Sequence, residues 1–141
     1  MKILALLLIL MPGISQAGAI SQLGEGDPLK LVFVEMKYLY QAGMEIQQQY
    51  TVKDDPIQMM QCKGQYDFIL TRARSMIGTA GQIEDLALRD KVIDASWHAY
   101  ACASCMKPAS SCEPVPGNLE FIKQEILDRE AAATDIEAME Q

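Results

Sequence analysis

The chain reads as an all-α protein, an antiparallel four-helix bundle stapled by disulfides, and three observations carry that reading. Apolar residues recur in alternating steps of three and four along four segments. Capping residues, twice an aspartate followed by proline, stand at the starts of those segments. Four cysteines, an even number, follow an N-terminal export leader. No run of alternating apolar and polar residues is long enough to compete as a strand, and no internal repeat is present.

The first helix opens at Asp27-Pro28, a side-chain cap followed by a proline whose fixed φ suits the first helical position. From there Leu29, Val32, Met36, Leu39, Gly43, Ile46 and Tyr50 form a lengthwise seam, which Phe33 and Tyr40 widen. Asp54-Asp55-Pro56 repeats the start for a second helix, with the stripe Met59, Cys62, Tyr66, Ile69, Ala73 and Met76. Gly78 is expected to end it in a left-handed conformation, and Thr79 with Gln82 has the capping-box spacing that opens a third helix at once. The third helix carries two rows, Ile83, Leu86, Ile93, Trp97 and Tyr100 beside Leu88, Val92, Ala95, Ala99 and Cys102, and is expected to end near Met106, before Pro108. Residues 107–117 are a loop punctuated by Pro108, Ser110, Ser111, Pro114, Pro116 and Gly117. Asn118 is expected to cap a fourth helix with the stripe Leu119, Ile122, Ile126, Ala133 and Ile136, interrupted by Arg129.

Ahead of these helices, Lys2, the apolar run 3–11, the break at Pro12-Gly13 and small Ser15 and Ala17 before Gly18 have the form of a cleaved secretory signal. The apolar run is about half what a membrane-crossing helix needs. The organisation expected is therefore a leader at 1–17, an N-terminal extension at 18–26 and a single helical domain at 27–141, periplasmic or secreted. No cysteine follows the cleavage point, so a lipid anchor is not indicated.

Charge narrows the partner class. The formal net charge is −7, and the cleaved leader takes one lysine with it. Acidic residues are densest near the C-terminus, at Glu120, Glu125, Asp128, Glu130, Asp135, Glu137 and Glu140. Such a field repels nucleic acid and anionic lipid and steers a basic protein inward.

The cysteines are the strongest chemical feature. Cys102 and Cys105 form a C-x-x-C, but near a helix C-terminus, where the dipole raises a thiol pKa, and without a βαβ setting. Structural disulfides are the better account. With a chain reversal at Thr79, Cys62 lies about 24 Å before the turn and Cys102 about 33–35 Å after it, with Cys105 further still. That geometry favours Cys62–Cys102 with Cys105–Cys112; Cys62–Cys105 with Cys102–Cys112 is the nearest rival.

Other chemistry is weakly encoded. Covalent haem needs C-x-x-C-H, and Met106 stands where the histidine belongs. A zinc cluster of Cys102, Cys105, Cys112 and His98 would leave Cys62 unpaired in an oxidising compartment. Met36, Met59 and Met76 lie on core stripes rather than in a copper site. His98 and Asp94, four apart, form an ordinary helix-surface pair. Asp90 is expected to point inward and meet Arg72 or Arg74 across the hairpin. Gln47, Gln48, Gln49 and Tyr50 make a neutral polar helix end.

The sequence therefore leads to an exported, non-enzymatic helical protein, without cofactor or metal, that binds a basic protein in the manner of an inhibitor, an immunity protein or a secretion-system accessory. A thiol or metal protein using Cys102, Cys105 and Cys112 is the second reading. A small-ligand carrier lined by Phe33, Tyr40, Tyr66, Trp97 and Tyr100 is the third.

Overall fold

The computed structural model describes residues 26–51 and 54–139; the leader at 1–17, residues 18–25 of the extension and the last two residues lie outside the described residues. Within them the chain forms α1 (Pro28–Gln49), α2 (Pro56–Ala80), α3 (Leu86–Cys102), a 3-10 turn (Ala109–Cys112) and α4 (Val115–Met139). The helices run up and down in sequence order. α1 and α3 touch along the centre, and each also packs on both α2 and α4. No described helix is long and apolar enough to cross a membrane.

The first two helices follow their expected seams. Asp27 accepts the amide of Leu29 at 2.9 Å, and Asp55 accepts that of Ile57 at 2.8 Å, so both aspartates cap as expected. All seven seam residues of α1 are buried. Each of the fully buried Leu29, Val32, Met36, Leu39 and Ile46 contributes roughly 1.5–3 kcal/mol by leaving water. On α2, Cys62, Ile69, Ala73 and Met76 are buried, while Met59 and Tyr66 are half-buried.

The connection from α2 to α3 departs from expectation. Gly78 stays helical, no described glycine has a positive φ, and α2 runs on to Ala80. Thr79 turns its hydroxyl back to donate to the Ser75 carbonyl at 3.1 Å, so it caps nothing. The cap of α3 is Asp85, which accepts the Leu88 amide at 2.9 Å, and buried Ile83 plugs the turn between the helices.

The orientation of α3 is set by small residues. Ala95, Ser96, Ala99 and Cys102 face inward with Val92 and Leu88, whereas Leu86 and Trp97 are 62% and 51% exposed. Ser96 meets its buried hydroxyl's requirement by donating to the Val92 carbonyl at 2.7 Å. The cause is the close approach of α1. A Cβ on Gly43 would lie 2.8 Å from the carbonyl oxygen and 2.9 Å from the carbonyl carbon of Cys102. At that separation the row with Trp97 and Tyr100 has no room, and the row of alanines fits.

The disulfides are Cys62–Cys105, with Cα atoms 5.9 Å apart, and Cys102–Cys112, with Cα atoms 4.4 Å apart. This corrects the favoured pairing of Cys62–Cys102 with Cys105–Cys112. Because α2 ends at Ala80 and α3 begins at Leu86, Cys62 lies about 27 Å before the end of its helix and Cys102 only about 24 Å along its own. Three further residues in a turn bring Cys105 level with Cys62. Cys102 faces Gly43 instead, and the 3-10 turn folds Cys112 up against it.

The fourth helix starts three residues before its expected cap. Val115 is fully buried, Pro116 and Gly117 are accommodated in the first turn, and the Asn118 amide donates to the Pro114 carbonyl at 3.1 Å. Of its stripe, Ile122 is buried and Leu119 and Ile126 are half-buried, but Ala133 and Ile136 are exposed.

Two predictions follow from this packing. Gly43→Ala drives a methyl group into the Cys102 backbone and lowers stability by about 1–3 kcal/mol. Gly64→Ala, in a helix interior where nothing lies within 4 Å, raises it by about 0.5–1 kcal/mol. Thermal unfolding followed by circular dichroism reads both as shifts of opposite sign. For the bridges, peptide mapping under non-reducing conditions is expected to recover Cys62 with Cys105 and Cys102 with Cys112. Replacing both members of the first pair by serine costs about 4 kcal/mol from its 43-residue separation.

Candidate functional site: the outward face of α3

Packing the small row inward leaves the large row of α3 on the surface. Leu86, Ile93, Trp97 and Tyr100 line one outward strip, with Ile93 and Tyr100 half-buried against the core and Leu86 and Trp97 standing clear of it. Trp97 and Tyr100 meet edge to face, with centroids 5.4 Å apart and planes at 70°. The contact holds the indole in place on the surface, so little side-chain freedom remains to be lost on binding.

The flank of this strip is acidic. Asp90 and Asp94, one turn apart, are both exposed. Asp94 reaches the His98 Nε2 at 3.7 Å, the helix-surface pair expected from the spacing, with both groups open to solvent. Asp90 does not point inward and does not meet an arginine, which corrects the expected cross-hairpin pair. Arg72 is engaged elsewhere. It donates to both carboxylate oxygens of Glu35 on α1, at 3.0 and 2.7 Å, and lies 3.9 Å from the centroid of the Tyr38 ring. The hydrogen bonds to Glu35 hold the Arg72 guanidinium above its ordinary pKa. Arg74 is exposed.

The remaining sequence candidates are placed as follows. All four cysteines are in disulfides, and Cys102 and Cys105 end in different bridges, so the C-x-x-C is not a dithiol pair. Among the described residues no group of three or more His, Cys, Asp or Glu side chains converges as a metal site would require. Met36 and Met76 are core residues, and Met59 is half-buried. Phe33, Tyr40 and Tyr66 pack at the margin of the core. Phe33 also lines an open groove of about 310 Å³ between α1 and α4, with Val34, Ile126 and Leu127 below and Lys30, Lys123 and Glu130 at its rim.

The glutamine-rich end of α1 is more than a solvated helix end. Gln47 donates to the carbonyls of Cys102 and Lys107 at 3.4 and 3.3 Å, clamping α1 to the exit of α3. The Tyr66 hydroxyl donates to Gln49 at 3.1 Å, and Tyr50 donates to Gln65 at 2.9 Å. Tyr50 and Tyr66 meet edge to face at 6.2 Å beside the Cys62–Cys105 bridge. Nothing in the sequence marked this network, because neutral glutamine–tyrosine contacts have no characteristic spacing.

The acidic run on α4 is partly neutralised. Glu130 pairs with Lys30 of α1 at 2.6 Å, Glu120 pairs with Lys123 at 3.3 Å, and Asp128 accepts from Gln124 at 2.8 Å. The Glu130 carboxylate raises the Lys30 pKa through their hydrogen bond. Glu137 and Glu140 lie where side chains fall outside the described residues. Asp90 and Asp94 stand beside the exposed Trp97 strip with, among the described residues, no lysine or arginine paired to them, and that strip is suited to a cationic, partly apolar partner.

No family model matches the chain, and neither a curated protein nor a solved structure does.

Proposed function

We propose that this is an exported, non-enzymatic helical protein, periplasmic or secreted, that binds a basic protein through the outward face of α3. The observation that carries the reading is Trp97, half exposed, braced by Tyr100 and flanked by Asp90 and Asp94. Tryptophan and tyrosine concentrate binding energy at protein interfaces, and neighbouring charge governs encounter and selectivity. Two disulfides in a small bundle fit an oxidising compartment outside the cytoplasm. The formal net charge, −7 for the full chain and one unit more negative without Lys2, supplies long-range attraction toward a basic partner. An inhibitor of a basic secreted enzyme, an immunity protein and an accessory subunit of a secretion system all have this requirement.

The test is capture from the exported fraction with the disulfide-bonded protein as bait, in low and moderate salt. A single stoichiometric basic partner is expected, held more weakly as salt rises. Trp97→Ala is expected to weaken that complex by at least about 2 kcal/mol, roughly thirtyfold, while lowering thermal stability by no more than about 1.5 kcal/mol through the lost ring contact with Tyr100. Asp90→Asn with Asp94→Asn is expected to slow association and flatten the salt dependence. A partner retained equally by wild type and Trp97→Ala would overturn the assignment to this face.

A further inference from the structure

A second uncovered face runs along α2, on a side that neither α1 nor α3 uses. Met60, Gly64, Phe68, Thr71, Ser75 and Gly78 follow one another in steps of three and four, continuing from Ile57, and therefore share one side of the helix. Every one of them is exposed, and Ile57, Met60 and Phe68 are each more than half exposed. No charged residue interrupts the line, although 22% of the chain is charged. At Gly64 and Gly78 no atom lies within 4 Å of where a Cβ would stand, so the surface is flat and open at both.

The line is also asymmetric along its length. Its first half carries the large side chains Ile57, Met60 and Phe68, and its second half carries the small ones, Thr71, Ser75 and Gly78. Two such helices laid antiparallel about a two-fold axis place the large half of each against the small half of the other. One register also matches the charges. Asp67 and Arg74, seven residues apart, lie on the same flank of the line, both are exposed, and among the described residues neither takes part in an ion pair. With the axis between Leu70 and Thr71, Asp67 of each copy stands opposite Arg74 of the other. Phe68 then lies between Thr71 and Ser75 of the second copy, and Gly64 faces its Gly78.

We propose that this face of α2 is a self-association surface, taken by a second copy of the chain in an antiparallel, two-fold arrangement locked by two reciprocal Asp67–Arg74 pairs. In this register the lines of the two copies overlap over about 22 Å and about one helix width, with Met60 meeting the end of the partner helix and Ile57 beyond it. That is smaller than a standard interface, so the dimer is weak and forms at micromolar concentration and above.

Sedimentation of the disulfide-bonded protein between about 1 and 200 μM tests this directly. One-copy mass at the low end and two-copy mass at the high end are expected. Phe68→Asp is expected to remain one copy throughout, with helix content unchanged by circular dichroism. Asp67→Arg places like charges opposite one another twice and is expected to weaken association about tenfold. Adding Arg74→Asp to it restores opposite charges with reversed sense and is expected to return the dissociation constant to within about threefold of wild type. One-copy mass for the wild type at every concentration overturns the proposal. So does a dimer indifferent to Phe68→Asp, or a double variant no tighter than Asp67→Arg alone. The Trp97 variant used for the α3 face is expected to dimerise normally, which keeps the two surfaces separable.

Discussion

The approach of α1 to α3 at Gly43 sets the geometry of the whole bundle. With no side chain at that position, the backbone of Cys102 comes within van der Waals range of α1, and α3 must present its smallest residues there. Much else is a consequence. The alanine row goes inward, the Trp97 row goes outward, and Cys102 is placed where only the returning 3-10 turn can reach its sulfur. Gln47, one turn further along α1, accordingly finds the carbonyls of Cys102 and Lys107 within hydrogen-bond distance. Core, bridge, polar clamp and outward aromatic strip are thus four results of one missing methyl group.

This also accounts for what the sequence revealed and what it hid. The seams of α1 and α2 were legible because each has one apolar row that runs the length of the helix in steps of three and four. α3 has two rows, read from the sequence as one wide face, and nothing in them says which row turns inward. The deciding quantity was the distance to the neighbouring helix, which no property of α3 records. Gly43 was visible as a member of the α1 seam, but what it faces was not. The disulfide pairing failed for a related reason. Its arithmetic depended on where α2 ends, and Thr79, which has the spacing of a cap, bonds back into its own helix instead. Asp90 and Arg72 were paired on sequence grounds across a hairpin whose register was then displaced, and Glu35 on α1 took the arginine.

Polar chemistry is distributed unevenly between the two ends of the bundle. At the disulfide end, Tyr50, Gln65, Tyr66 and Gln49 hydrogen-bond to one another through neutral groups, which salt does not screen. At the other end, Lys30 and Glu130 connect α1 to α4 by an exposed ion pair, and beyond it the side chains of α4 described through Ile136 stand in solvent. Covalent and polar cross-links are thus concentrated where the cysteines are, while the far end of α4 is the least covered part of the described bundle.

The two bridges have a topological consequence. Both lie within residues 62–112: one ties α2 to the exit of α3, the other ties that exit to the following turn, and neither reaches α1. The helix with the most thoroughly buried seam is thus, like α4, held by no disulfide. α1 comes first in the chain, yet the groove that receives it is complete only once Cys112 has joined Cys102. An opening event that peels α1 away leaves the cross-linked remainder intact as a template, to which the same helix returns without any exchange of disulfide partners.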